Sequence, residues 1–282
     1  MAKKKIGIYS TLLSTANQKV EDLFLIVDDH SIAFSVKNIQ NNTYVAFEYF
    51  DNEENGEGWG PLMAYLQNNS KLLHAIYRQV HFVLNHSHFI ITKKYDSSDI
   101  LLYQNELHLI HGQLNDSEIQ VNEFSNGSVI VFAVPDSLIT LLTRTFPMGK
   151  WKHYVEWVIA SKIDQTDLDR SSVHIHLFEN NYVLLIQEKG NLKNIKYVNV
   201  STPDQNCYTL LNACQQLGVI PSQLHLEIVG LEHSPTNIIN ESWSQLVTYF
   251  LETKVISTPI EGIGETLNKE FPNHRYATYF IF

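Results

Sequence analysis

Long apolar runs are missing from this sequence. Nowhere do about 18 consecutive apolar residues occur, the length a helix needs to cross a bilayer, so no membrane-spanning helix is expected. The N-terminus carries Lys3, Lys4 and Lys5, but only scattered apolar residues follow (Ile6, Ile8, Leu12, Leu13), which gives no secretory core. Positive charge is also scarce: 20 Lys and Arg stand against 30 Asp and Glu, a formal charge of −10, and no stretch except the lysine triplet concentrates basic side chains. Binding to a phosphate backbone or an anionic bilayer relies on basic surface, so neither nucleic acid nor a membrane is the expected partner. Cysteine is limited to Cys207 and Cys214. They lie two helical turns apart, roughly 10 Å, too far to bridge. Free thiols used as small core residues suit a reducing compartment, and the chain reads as cytoplasmic.

Catalytic signatures are absent too. There is no Gly-x-Ser-x-Gly elbow, no Gly-x-x-x-x-Gly-Lys phosphate loop, no Gly-x-Gly-x-x-Gly fingerprint, no Cys-x-x-Cys and no His-Glu-x-x-His. The glycine group Gly56-Glu57-Gly58-Trp59-Gly60 has an acidic residue inside it and precedes Pro61, so it reads as a loop opening a helix. Gly262-Ile263-Gly264 reads in the same way.

What is present is a repeated order of elements. Leu23–Val27, Ile32–Val36 and Thr43–Tyr49 are short β-like runs separated by Asp28-Asp29-His30 and Asn41-Asn42 turns. A helix is expected from about Pro61 to Tyr77, carrying Leu62, Tyr65, Leu66, Leu73 and Ile76 and broken in two at Asn68-Asn69-Ser70; Val80–Leu84 returns as a strand. Val173–Phe178, Tyr182–Gln187 and Lys193–Val198 repeat the meander. The next helix is well marked: Thr202 caps it, Pro203 opens it, Gln205 has capping-box spacing and Gly218 stops it. A strand at Leu224–Val229, a helix at Glu241–Leu251 and a strand at Lys254–Ser257 complete the order. In the first half the matching strand, helix and strand are expected at Val129–Val134, Ser137–Phe146 and Trp151–Val155, after an insertion at about 85–124. The aromatic residues packed into His274–Phe282 predict burial, as helix or strand.

The fold class that follows is α/β: a ribonuclease-H-like unit occurring twice, each half a mixed five-stranded sheet of βββαβαβ order with helices on both faces. The halves are 1–163 and 164–282, joined at the polar stretch Asp164–Ser172. This tandem resembles the actin, heat-shock-70 and hexokinase architecture. More narrowly, Val129-Ile-Val-Phe-Ala-Val-Pro135, Leu142-Thr-Arg-Thr-Phe-Pro147, Val173-His-Ile-His176 and Tyr197-Val-Asn199 leading into Thr202-Pro-Asp204 resemble a Bacteroidetes family with an actin-like ATPase fold and no assigned function. The resemblance implies the fold and carries no activity.

An actin-like ATPase needs an Asp-x-Gly hairpin in each half, where glycine lets the backbone approach phosphate and aspartate holds hydrated Mg²⁺. Here His30 stands where the first glycine belongs, Glu179-Asn180-Asn181 offers neither residue, and Gly230 stands alone where a glycine pair is expected. No catalytic or metal-ligating residue is assigned. The expected function is a non-catalytic actin-like scaffold or protein-interaction module with degenerate nucleotide loops, acting on a protein partner through the insertion or the cleft between halves, with no cofactor. The alternative is an atypical ATP-binding or ATP-hydrolysing protein using that cleft, with Asp28, Asp29, Ser31, Asn180 and Gly230 around Mg-ATP. The absence of carboxylates in Leu23–Val27 and Val173–Phe178 excludes a two-metal nuclease. His86-Ser87-His88 and His174-Ile175-His176 lack further ligands and read as hydrogen-bonded, partly buried histidines.

Overall fold

The computed structural model describes residues 2–9, 20–52, 59–95, 100–163, 171–230, 245–256 and 276–282. They fall into two compact units, one running to Glu156 and one starting at Trp157.

In the first unit, β2 (Glu21–Asp28), β3 (Ser31–Asn38) and β4 (Thr43–Asn52) form the expected antiparallel meander. Asn42 takes φ 55° in the second turn, a conformation that asparagine tolerates better than most residues. Helix α1 (Trp59–Asn69) ends at the expected break, where the Asn68 and Asn69 side-chain amides donate back to the Ala64 and Tyr65 carbonyls. Beyond it the chain forms turns rather than a second helix, and Ile76 is 71% exposed. Strand β5 (Gln79–Asn85) runs parallel to β2, and β9 (Lys150–His153) parallel to β5.

Three features depart from the sequence reading. A further strand, β1 (Ala2–Tyr9), pairs antiparallel with β4, so this sheet has six strands in the order β1-β4-β3-β2-β5-β9. The insertion is also longer. Strands β6 (Phe89–Lys93), β7 (Ser117–Glu123) and β8 (Ser128–Pro135), with helix α2 (Ile100–His111), make a separate three-stranded sheet of order β6-β8-β7. Val129–Val134, expected in the main sheet, is its middle strand; a run buried on both faces looks the same in either place. Tyr103 and Leu107 of α2 pack there on Ile90, Ile119, Val129 and Val131. Helix α3 (Asp136–Thr145) then leads to β9. The strand expected over Trp151–Val155 stops at His153 because α4 (Tyr154–Ile163) begins there. His153 Nδ1 accepts from Val155 N (3.3 Å) and Glu156 Oε1 from His153 N (2.6 Å), a reciprocal cap built from histidine and glutamate.

The second unit follows its pattern closely. Strands β10 (Ser172–Leu177), β11 (Asn181–Glu188) and β12 (Asn191–Asn199) are antiparallel, while β13 (His225–Val229) and β14 (Glu252–Ile256) add in parallel, giving the order β12-β11-β10-β13-β14. Lys189 and Gly190, at φ 49° and 73°, make the tight β11–β12 turn. Thr202 caps α5 (Pro203–Gln216), its hydroxyl accepting from Gln205 N, and Gly218 at φ 69° follows its end. The inner face of α5, including the free thiols Cys207 and Cys214, buries Val173, Ile175 and Leu177. The helix expected over Glu241–Leu251 lies partly outside the described residues; within them Gln245 and Leu246 are helical and run into a short 3-10 turn, Val247–Tyr249. The C-terminal aromatics are buried, as expected, around a 3-10 turn at Ala277–Phe280, with Tyr279 edge-on to Phe178 and Phe282 edge-on to Trp157. No helix among the described residues is long and apolar enough to cross a membrane.

Candidate functional site

Parallel strands present their carboxyl ends on one edge, where α/β sheets ordinarily take ligands. In the first unit that edge carries Asp28 at the end of β2, Asn85 at the end of β5 and His153 at the end of β9. Asp28 and Ser31 close the β2–β3 hairpin as a paired residue couple around Asp29-His30. The Asp28 carboxylate is engaged on both oxygens: Oδ1 accepts from His30 N (3.3 Å) and Oδ2 from Asn85 Nδ2 (3.1 Å). Asp28 and Ser31 are each 4% exposed, whereas Asp29 lies on the surface.

Behind this hairpin, four histidines touch in sequence: His153 against His86, His86 against His88, and His88 against His111, with ring centroids 5.3–5.5 Å apart. His86 Nε2 meets the Ala133 carbonyl (2.6 Å), and its Nδ1 accepts from His88 N (3.1 Å). His153 Nε2 meets the His86 carbonyl (3.1 Å). Both rings are therefore neutral, with the proton on Nε2, since Nδ1 must accept. Burial lowers the proton affinity of His86, His88 and, furthest, His153; Asp29 works the other way on the first two. These rings join the β5 end, the insertion and the α4 cap. Among the described residues, no group of three or more His, Cys, Asp or Glu is arranged to hold a metal ion.

In the second unit the corresponding hairpin is Phe178–Asn181. Phe178 N donates to the Asn181 carbonyl (2.8 Å) and Val200 N to the Asn180 carbonyl (2.9 Å). Asn180 is exposed and Asn181 buried. A backbone anion nest alternates right- and left-handed residues, but among the described residues the positive-φ residues other than glycine are Asn42, Asp116 and Lys189, none at either hairpin tip. Gly230 follows β13 directly at φ 88°. The expected candidates thus divide: Asp28, Asp29 and Ser31 sit together in one unit, Asn180 and Gly230 in the other. Gly56–Gly58 and Gly262–Gly264 lie outside the described residues.

The other face of β10 holds a buried relay that the sequence pattern did not reveal. Ser172 Oγ lies 2.8 Å from His174 Nε2, His174 Nδ1 lies 3.4 Å from Glu227 Oε1, and Lys162 of α4 is paired with the same oxygen. Burial raises the Glu227 carboxyl, but the His174 hydrogen bond and the Lys162 charge outweigh it and hold the group below the usual range. The order is that of nucleophile, base and acid. Ser172 is only 6% exposed, however, and the set ties β10, β13 and α4 together.

The exposed surface of the insertion is distinctive. Helix α2 buries Tyr103 and Leu107 and, beside the polar Gln104, Asn105, Glu106 and His108, leaves Ile100, Leu101, Leu102, Leu109 and Ile110 47, 58, 40, 86 and 68% exposed. Leu102 and Leu109, seven residues apart, share an outward face.

Comparison with known proteins agrees with this architecture. A family model described as "Protein of unknown function (DUF3822)" matches residues 10–249. No curated protein sequence matches the chain. A crystal structure from Bacteroides thetaiotaomicron VPI-5482, described as having an actin-like ATPase fold and unknown function, superposes with a TM-score of 0.74 at 14% identity, covering 91% of this chain and 97% of that one. The PilM-PilN type IV pilus biogenesis complex matches with a TM-score of 0.54 at 11% identity, covering 93% and 97%. The fold is that of the actin-like ATPases.

Proposed function

This chain belongs to the family of proteins of unknown function DUF3822, and from that premise we propose that it is a non-catalytic actin-like protein, built from an internal duplication, that acts by binding another protein through its insertion. The carrying observation is α2: one side rests on the small sheet through Tyr103 and Leu107, while Leu102, Leu109 and Ile110 face outward as large exposed apolar side chains. Exposed apolar area of this kind marks a protein contact. The hairpin tips support the reading, since Asp28 is tied to His30 and Asn85 and neither tip has the left-handed residue of a phosphate nest. The PilM-PilN structure is of a complex, which gives a precedent for this fold acting beside a protein partner.

A photo-crosslinking residue at position 109, introduced in cells that express the protein, tests this. One discrete crosslinked species is expected from position 109 and none from position 126, an exposed turn of the same insertion. Equal or absent crosslinking at the two positions overturns the proposal.

A second reading, an atypical Mg-ATP-binding protein, draws on the position of Asp28 and Asn85 at the carboxyl edge of parallel strands. It requires a nucleotide-dependent stabilisation that Asp28→Ala removes.

A further inference from the structure

The two main sheets share a strand order, and in both the third meander strand lies on the same side: β4 in the first, β12 in the second. Their outer edges differ. β4 is covered by β1 along Ala2–Tyr9, and the match is one of opposite charges. Lys4 Nζ meets Glu48 Oε1 at 2.5 Å and Lys5 Nζ meets Asp51 Oδ2 at 3.3 Å. A basic strand has been added to an acidic edge.

β12 pairs with β11 from Asn191 to Asn199, and among the described residues no strand pairs with its other side. Its charge is the reverse of that of β4. Between Glu188 and Asn199 stand three lysines, Lys189, Lys193 and Lys196, against the single Glu188, in a chain whose overall charge is −10. All three lysines are exposed, and Ile195 and Tyr197 alternate with them half-buried. A nine-residue strand with an open ladder and β-prone side chains is a template for a further strand. The basic edge repels the N-terminal strand of a second copy, which carries Lys3, Lys4 and Lys5; it suits an acidic strand.

We propose that β12 takes an added β-strand from an acidic, extended segment of a partner protein, as β4 takes β1. β12 belongs to the second unit and α2 to the first, so either assignment can fail alone.

The probes are two nine-residue capped peptides of valine and threonine, one carrying four glutamates and the other four lysines, titrated by fluorescence anisotropy at low ionic strength. The wild type is expected to prefer the glutamate peptide by about tenfold, and a Lys193→Glu/Lys196→Glu variant to reverse that order. Lys196→Glu alone, which leaves the Lys193–Glu188 pair intact, is expected to fall between them. Addition of the glutamate peptide should slow amide exchange along β12. If edge lysines serve only to block pairing, neither peptide binds. That result, equal binding of both, an unchanged preference in the double variant, or binding without protection of β12 overturns the proposal.

Discussion

Acidification should weaken the second unit through a single side chain, His176. This residue lies near the carboxyl end of β10, 1% exposed, and its pKa is lowered to about 3, first by burial and then by the charges of Lys162 and His174, with Glu227 opposing. In the unfolded chain the ring titrates near about 6.5. The folded pKa is therefore the lower of the two, and the unfolded state binds more protons between these values. Stability is intact above about pH 6.5 and is lost as pH falls towards about 3. From pH 7 to pH 5 the unfolded ring gains a proton that the folded ring refuses, which amounts to about 2 kcal/mol from this residue. Amide exchange in β10 and β11 reports the opening free energy of this unit without mixing in the first. The wild type should lose about 2 kcal/mol more than His176→Gln over that interval, and if the glutamine does not fold, His176→Phe serves the same purpose. An equal loss in wild type and variant would show that His176 is not held neutral, and the reasoning would fail.

Two further perturbations probe the packing on which the site rests. Glu48 is fully buried, bound by Lys4, the Tyr9 hydroxyl, the Ser70 hydroxyl and Lys71 N. Glu48→Gln leaves the Lys4 ammonium without its counter-charge and should cost about 3 kcal/mol in a urea titration, with β1 amides exchanging first; unchanged protection of β1 refutes that account. Cys214 has its thiol pushed up to about 11, chiefly by burial, so at pH 8 about one in a thousand is thiolate. Iodoacetamide should leave it unmodified in the native protein and alkylate it in urea, as mass spectrometry can show; rapid native alkylation contradicts its place in the core.

The sequence is most legible where structure is set locally. Strands β10, β11 and β12 and helix α5 announce themselves through alternating branched residues, a tight Lys189-Gly190 turn, and Thr202 and Gly218 at the helix ends. Strand β1 was hidden because its stability comes from Glu48, 44 residues beyond Lys4, and three successive lysines mask the alternation. The insertion was bounded too early because Val129–Val134 carries the same fully apolar pattern in either sheet; only its pairing with β6 and β7 decides. At the candidate site, Asp28 was visible as a hairpin residue. Its tie to Asn85 spans 57 residues, and the contacts of His86, His88, His111 and His153 depend on the insertion folding back over the β5 end. No local spacing encodes such contacts.

The central claim is that the hairpin tips at Asp28–Ser31 and Phe178–Asn181 do not seat a triphosphate. Thermal unfolding with and without millimolar Mg-ATP tests it most directly. The account predicts the same midpoint in both; a stabilisation of about 2.7 kcal/mol, as a ligand at a hundred times its Kd confers, with its disappearance in Asp28→Ala, would contradict it.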